Sequence, residues 1–245
     1  MRYIGIDLHY DNFVVCFLDE EGMRTTSYSL RGHKDLKRFL ESVTNEDYVA
    51  VESSTNSFWF CKQIKDKVKE VFVINTSKFS IISRSNKKTD KIDAKKIAKK
   101  LRYYILVGAG EEEEFPTVNI PSQEIQELRT LYSTYELLSK QKTTLKNRIF
   151  SLLVQQGIYL ESKLRNSKKY RSAILNCSIP VSVKMQIEIL FDEIDSLDLK
   201  KDRLKNEIYR VGSPYKKEIK QLVGIKGITP FTALAILADI GDINR

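Results

Sequence analysis

The N-terminal third of the chain alternates short apolar runs with polar breaks. Arg2–Leu8 and Asn12–Asp19 are dense in Ile, Val, Phe and Leu and are separated by a polar turn, which predicts two hairpin-linked strands. A third strand follows near Arg24–Leu30, after the turn Asp19-Glu20-Glu21-Gly22. Leu36, Phe39, Leu40 and Val43 recur at helical spacing, so His33–Val43 reads as a short helix. Tyr48–Glu52 and Val71–Asn75 are apolar strands with a helical Phe58–Val68 between them. Hairpin strands followed by alternating helix and strand predict an α/β fold, a mixed sheet with helices on its faces. Ala94, Ile97, Ala98 and Leu101 then step by three and four, which sets Asp90 and Asp93 in the first turn of an amphipathic helix.

Beyond Gly108 the pattern changes. Glu111–Glu114, Pro116 and Pro121 mark an exposed linker over 111–122 that closes a first domain of residues 1–110. Two long heptad stripes follow in residues 123–212. The first is Leu128, Leu131, Tyr135, Leu138, Lys142, Leu145, Ile149 and Leu152; the second is Ile187, Leu190, Ile194, Leu197, Lys201, Leu204, Ile208 and Val211. Such stripes pair either as a coiled coil between copies, making a dimer or tetramer, or with each other as a hairpin; the spacing favours the first. One Lys in each stripe lowers stability and restricts register. The intervening Gly157–Pro180 is polar and basic, a nucleic-acid-facing or merely solvated loop. In residues 213–245, Gly224-Ile225-Lys226-Gly227 lies between two helical stretches and looks like a helix–hairpin–helix turn, whose amides can hold a phosphate without reading sequence.

Charge adds a direction. The 245 residues carry a net +9, and the segment Lys78–Arg102 holds ten Lys or Arg against two acids, Asp90 and Asp93. An excess so concentrated points to an anionic partner, most simply nucleic acid. Lys87, Lys88, Lys91, Lys95, Lys96 and Lys99, with Lys226 in the hairpin turn, are the candidate phosphate contacts. Cys16, Cys61 and Cys177 are far apart and in no Cys-x-x-Cys pattern, which argues against zinc and a disulfide framework. With no long apolar run or signal peptide, a cytoplasmic protein without a membrane partner is expected.

Asp7 ends the first strand and Glu52 the fourth, and ligand sites in open α/β sheets collect at such strand ends. Together with Asp90 and Asp93 they form a set of four acids whose convergence would need cations to relieve like-charge repulsion. Oxygen-only donors suit Mg²⁺ or Mn²⁺, and two such ions are the usual equipment of phosphoryl transfer. His9, two residues beyond Asp7 and on the same strand face, reads as a general base or as an ordinary polar side chain.

The segments Tyr3-Ile4-Gly5-Ile6-Asp7-Leu8-His9, Val49-Ala50-Val51-Glu52-Ser53-Ser54-Thr55 and Lys88-Thr89-Asp90-Lys91-Ile92-Asp93-Ala94 resemble the DEDD recombinases, the Piv-type DNA invertases and related insertion-sequence transposases. Asn147-Arg148, Leu152-Leu153 and Gly157-Ile158 resemble the helical middle of that family, and Leu222–Asp242 the start of its C-terminal transposase domain. The resemblance implies an RNase H-like (RuvC-like) first domain whose four acids, Asp7, Glu52, Asp90 and Asp93, bind Mg²⁺ and are catalytic. It also implies DNA as substrate, a structured guide RNA as partner, composite sites between subunits, and a C-terminal serine that links covalently to DNA. No serine of this chain sits in the matching motif, so none is assigned and the C-terminal domain is expected to be incomplete. Where the family has Thr-Gly after its Glu, this chain has Thr55-Asn56.

The function expected is DNA transposition or site-specific recombination. Two other readings remain open: a stand-alone RuvC-like nuclease such as a junction resolvase, and a non-catalytic nucleic-acid-binding product. An actin-like ATPase, which also opens on Ile-Gly-Ile-Asp, is disfavoured by the bulk of Leu8-His9-Tyr10 where ATP phosphates would need a small, glycine-rich turn.

Overall fold

The computed structural model describes residues 1–32, 34–75, 89–108, 116–159 and 170–241. Lys87 and Lys88, and the basic residues Lys163, Arg165, Lys168 and Lys169, lie outside them. The chain divides into two compact units, Met1–Ile120 and Pro121–Arg245.

In the first unit the strands are β1 (Tyr3–Leu8), β2 (Asn12–Leu18), β3 (Met23–Ser29), β4 (Tyr48–Glu52), β5 (Glu70–Ile74) and β6 (Thr117–Val118). The helices are α1 (Lys34–Ser42), α2 (Ser57–Ile64) and α3 (Asp90–Val107). The six strands form one sheet in the order β3-β2-β1-β4-β5-β6. β1, β2 and β3 are antiparallel neighbours, β4 and β5 continue from β1 in parallel, and β6 closes antiparallel on β5. This is the mixed sheet that the pattern predicts. β6 falls inside the stretch read as linker, because two residues pairing with an edge strand leave no periodicity to detect.

The sheet is buried on both faces where the sequence is most continuously apolar. One face, with Ile4, Ile6, Leu8, Phe13, Val15, Val49 and Val51, packs on Leu36 and Phe39 of α1 and Phe60 and Ile64 of α2. The other, with Tyr3, Val14, Cys16 and Ala50, packs on Ala94, Ile97, Ala98 and Leu101 of α3. Each fully buried aliphatic or aromatic side chain contributes about 1.5–3 kcal/mol, so the two layers hold the strand ends in fixed relation.

The second unit is helical: α4 (Gln123–Gln155), α5 (Tyr170–Leu175), α6 (Val181–Val211), α7 (Lys216–Val223) and α8 (Pro230–Ile240), with a 3-10 turn at Ser213–Tyr215. The two heptad stripes meet within the chain. Ile125, Leu128 and Tyr132 cluster with Ile208 and Val211, and Ile149, Leu152 and Leu153 with Ile187, Phe191 and Ile194, so α4 and α6 run antiparallel. Within one chain the two stripes thus pack on each other as a hairpin. Their two lysines are accommodated across the same seam. Lys142 donates to both carboxylate oxygens of Asp198 at 2.5 and 2.6 Å, and the Lys201 ammonium lies 4.7 Å from the centre of the Tyr135 ring.

α8 shares this core. Leu234, Leu237 and Ala238 join the cluster of Ile125, Leu128, Ile208 and Val211, so a boundary at 212/213 does not separate two cores. Arg129 of α4 donates to the carbonyls of Ala238 and Asp239, capping the C-terminal end of α8. The hairpin-like sequence is a turn between α7 and α8, with Gly227 at φ +95 and Thr229 capping α8 through its hydroxyl. α5 arises inside the polar stretch 157–180, where Tyr170 and Ile174 reach the α4–α6 core. None of the described helices is long and apolar enough to cross a membrane.

Candidate metal centre

Side-chain parity decides which face carries the acids. Residues of a strand alternate between faces. With Ile4, Ile6 and Leu8 committed to the α1–α2 layer, Tyr3, Gly5 and Asp7 turn toward α3. In β4, Val49 and Val51 take the first layer and Ala50 the second, so Glu52 is on the α3 side as well. The parallel register that sets Ile6 opposite Val51 brings the next residues, Asp7 and Glu52, alongside each other at the C-terminal edge of the sheet.

α3 supplies the other two acids. Its N-terminal turn carries Asp90 and Asp93, and the partial positive charge of that terminus favours carboxylates there. The helix lies very close to β1. A Cβ at Gly5 would come within 2.3 Å of the Ala94 carbonyl oxygen and 2.4 Å of the Ala98 nitrogen, so only glycine fits.

The two strand-end acids are hydrogen-bonded to each other and feel the charges of the α3 acids. Asp7 is 4% exposed, and burial raises its pKa despite a hydrogen bond with Glu52; the charges of Asp90 and Asp93 push it further up. Glu52 is pushed up to about 7, by burial first, then by its hydrogen bond with Asp7 and the charges of Asp7 and Asp93. Asp93 also faces Lys96, whose Nζ is 3.6 Å from its Oδ1. His9 completes the group, with Nε2 3.4 Å from Asp7 Oδ2 and 3.5 Å from Asp90 Oδ2. Donor atoms of Asp7, His9 and Asp90 lie within 4.8 Å of one another.

A second buried acid provides the contrast. Asp47 is 1% exposed, yet Arg2 donates to both its oxygens and Thr44 adds backbone and side-chain donors. Burial raises its pKa, but the Arg2 bond and the Thr44 donors outweigh that and hold it below its ordinary value. Asp47 is a satisfied structural charge. Asp7 has an acid for its hydrogen-bond partner, the arrangement a cation would relieve. Oxygen donors of this kind, with one imidazole, fit a divalent ion.

The candidate phosphate contacts divide. Lys91 and Lys99 of α3 are exposed, and Lys95 and Lys96 are half-buried; Lys95 and Lys99 act electrostatically on Cys16, which places them over the β2 side of the sheet. Lys226 is exposed in the α7–α8 turn of the second unit.

The raised Glu52 pKa sets a pH dependence. The folded state holds this proton up to about pH 7, whereas the ordinary value is 4.5, so stability falls as pH rises between the two. The penalty is absent below that window and complete above it. Glu52→Gln is therefore expected to stabilise the metal-free protein at about pH 8, by about 1–2 kcal/mol because the carboxyl is partly solvated. At about pH 4 it should change little. Thermal melts in a chelator at both pH values check this, and equal effects at the two would contradict the shift.

Residues 4–158 match the sequence profile of the DEDD transposases of IS110 type. The chain is also 23% identical over 225 residues to the protein named "Putative transposase y4rJ" of Sinorhizobium fredii (strain NBRC 101917 / NGR234). That match takes in 84% of this chain and 56% of the relative, so the chain spans little more than half of the relative's length. The profile covers the whole acid constellation together with α4, and the chain belongs to the IS110-type DEDD transposase family.

Proposed function

We propose that the protein is a divalent-metal-dependent DNA recombinase, a transposase that cleaves and transfers strands at the Asp7–Glu52–Asp90–Asp93 site. What supports this is the hydrogen-bonded pair of strand-end acids, Asp7 and Glu52, whose pKa values are raised first by burial and further by the charges of the α3 acids: Asp90 and Asp93 on Asp7, Asp93 on Glu52. The sheet order, with three antiparallel strands continued by two parallel ones, supports an RNase H-like (RuvC-like) reading of the first unit.

Asp7, Glu52, Asp90 and Asp93 would hold Mg²⁺ or Mn²⁺, two ions in the reading we favour. Bound there, the metal supplies Lewis-acid stabilisation of charge developing on a phosphate. The chain's own groups do the rest. Lys91, Lys95, Lys96 and Lys99 on α3, and Lys87 and Lys88 just before it, bind and orient the DNA backbone, with affinity that falls steeply as salt rises. Lys226 and the amides of the α7–α8 turn are a second phosphate contact. We assign no nucleophilic serine to this chain.

A structured guide RNA is proposed on the resemblance, supported by the net charge of +9. A homo-oligomer is also proposed. Val181, Met185 and Ile189, exposed at successive turns of α6, are better candidates for its contacts than the stripes α4 and α6 use against each other.

The test is Mg²⁺-dependent cutting of supercoiled and branched DNA by this chain. Activity lost in Asp7→Asn, with unchanged circular dichroism, is the expected result. Cutting that persists in Asp7→Asn or in excess chelator overturns the site.

A further inference from the structure

The four acids leave one side chain of the cluster without a role. His9 follows β1, and its parity with Asp7 directs it to the α3 side. Its main chain is tied down from two directions. The His9 amide donates to the Asn12 carbonyl at 2.9 Å, and Asn56 Nδ2 donates to the His9 carbonyl at 3.0 Å. Asn56 is itself oriented by Ser54, whose hydroxyl donates to Asn56 Oδ1 at 2.9 Å. The segment after β1 is thereby clamped to the segment after β4. The clamp uses Asn56, at the position where the family resemblance would lead one to expect Gly.

The imidazole so held is not a core side chain, being 44% exposed. Its Nε2 stands 3.4 and 3.5 Å from one oxygen each of Asp7 and Asp90. Those separations exceed the usual length of a charge-assisted N–H···O bond, about 2.7–2.9 Å. Adjacent donors in an octahedral shell stand about 3 Å apart for bonds of about 2.1 Å, so a small inward movement of the exposed His9 and Asp90 side chains would bring these donors to ligand spacing. Donor atoms of all three groups lie within 4.8 Å of one another, close enough for one ion to engage them together.

We propose that His9 is a direct ligand of the ion shared by Asp7 and Asp90, a nitrogen donor added to the acid set, with Asn56 as the positioning residue that fixes its backbone. This rests on the metal-site reading above. A nitrogen ligand in an otherwise oxygen site shifts preference away from Mg²⁺ toward the later first-row divalent ions. It also distinguishes this chain from one relying on the four acids alone.

The experiment is Mn²⁺ titration of the full chain at about pH 8, followed by pulsed electron paramagnetic resonance. The ¹⁴N modulation of a directly bound imidazole is expected in the wild type. It should be lost in His9→Ala and retained in His33→Gln, the only other histidine of the chain. Because His9 is partly exposed, His9→Ala is expected to fold, which circular dichroism verifies. Bound Mn²⁺ without nitrogen modulation in the wild type, or modulation that survives in His9→Ala, overturns the ligand and leaves the acid site standing. No bound Mn²⁺ in the wild type overturns both.

Discussion

Asp90→Ala combined with Asp93→Ala is expected to abolish measurable Mn²⁺ binding while leaving the first unit folded. Neither side chain contributes to the core. Asp90 is 58% exposed and Asp93 28%, and the face of α3 that seats on the sheet consists of Ala94, Ile97, Ala98 and Leu101. Losing two acids from a helix N-terminus costs about 0.3–1 kcal/mol each. Removing their repulsion of Asp7 and Glu52 acts in the opposite direction, so the metal-free melting temperature should move little. Metal binding responds differently, because the remaining Asp7–Glu52 pair has no acid from α3 to complete the donor set. Isothermal titration calorimetry with Mn²⁺ reads this directly, and wild-type heats in the double variant would remove α3 from the site.

Gly5→Ala is expected to destabilise the first unit strongly. The new Cβ would meet main-chain atoms of Ala94 and Ala98 at 2.3 and 2.4 Å, and backbone cannot rotate out of the way as a side chain can. Either β1 or the whole of α3 must shift, at a cost of about 3 kcal/mol. Any shift separates Asp7 on β1 from Asp90 and Asp93 on α3, so metal affinity should fall as well. Denaturant unfolding followed by hydrogen exchange in β1 and α3 measures the first effect and calorimetry the second. A loss below about 0.5 kcal/mol would show that α3 is not held against β1 by this contact.

Much of the candidate site is legible in the sequence. Runs such as Tyr3–Ile6 and Tyr48–Val51 are apolar on both faces, the mark of central strands, and the acid that follows each, Asp7 and Glu52, is conspicuous because burial opposes it. The pair Asp90 and Asp93 was legible from the helical spacing behind it. Gly5 carried no visible signal, since its requirement comes from a helix ninety residues away. The same is true of Asn56, which reads as a turn residue until its amide is seen on the His9 carbonyl.

The long stripes show where local pattern stops. Their periodicity specifies an apolar seam along each helix but not what fills it, because a neighbouring copy and the other arm of a hairpin offer the same side chains. The Lys142–Asp198 bond and the Lys201–Tyr135 contact express the choice made within the chain. β6 and α5 were hidden for a related reason, as elements this short depend on what they dock against.

Local sequence was thus sufficient for the longer strands and helices, for the candidacy of the four acids and for the concentration of positive charge around two of them. Those properties depend on alternation and spacing within a few residues. The tertiary structure decided that Asp7 and Glu52 share the α3 face, that a glycine lets α3 approach, that His9 joins the acids, and that the heptads close on each other. Each of these depends on which distant segments meet, and that is settled by packing the whole core at once.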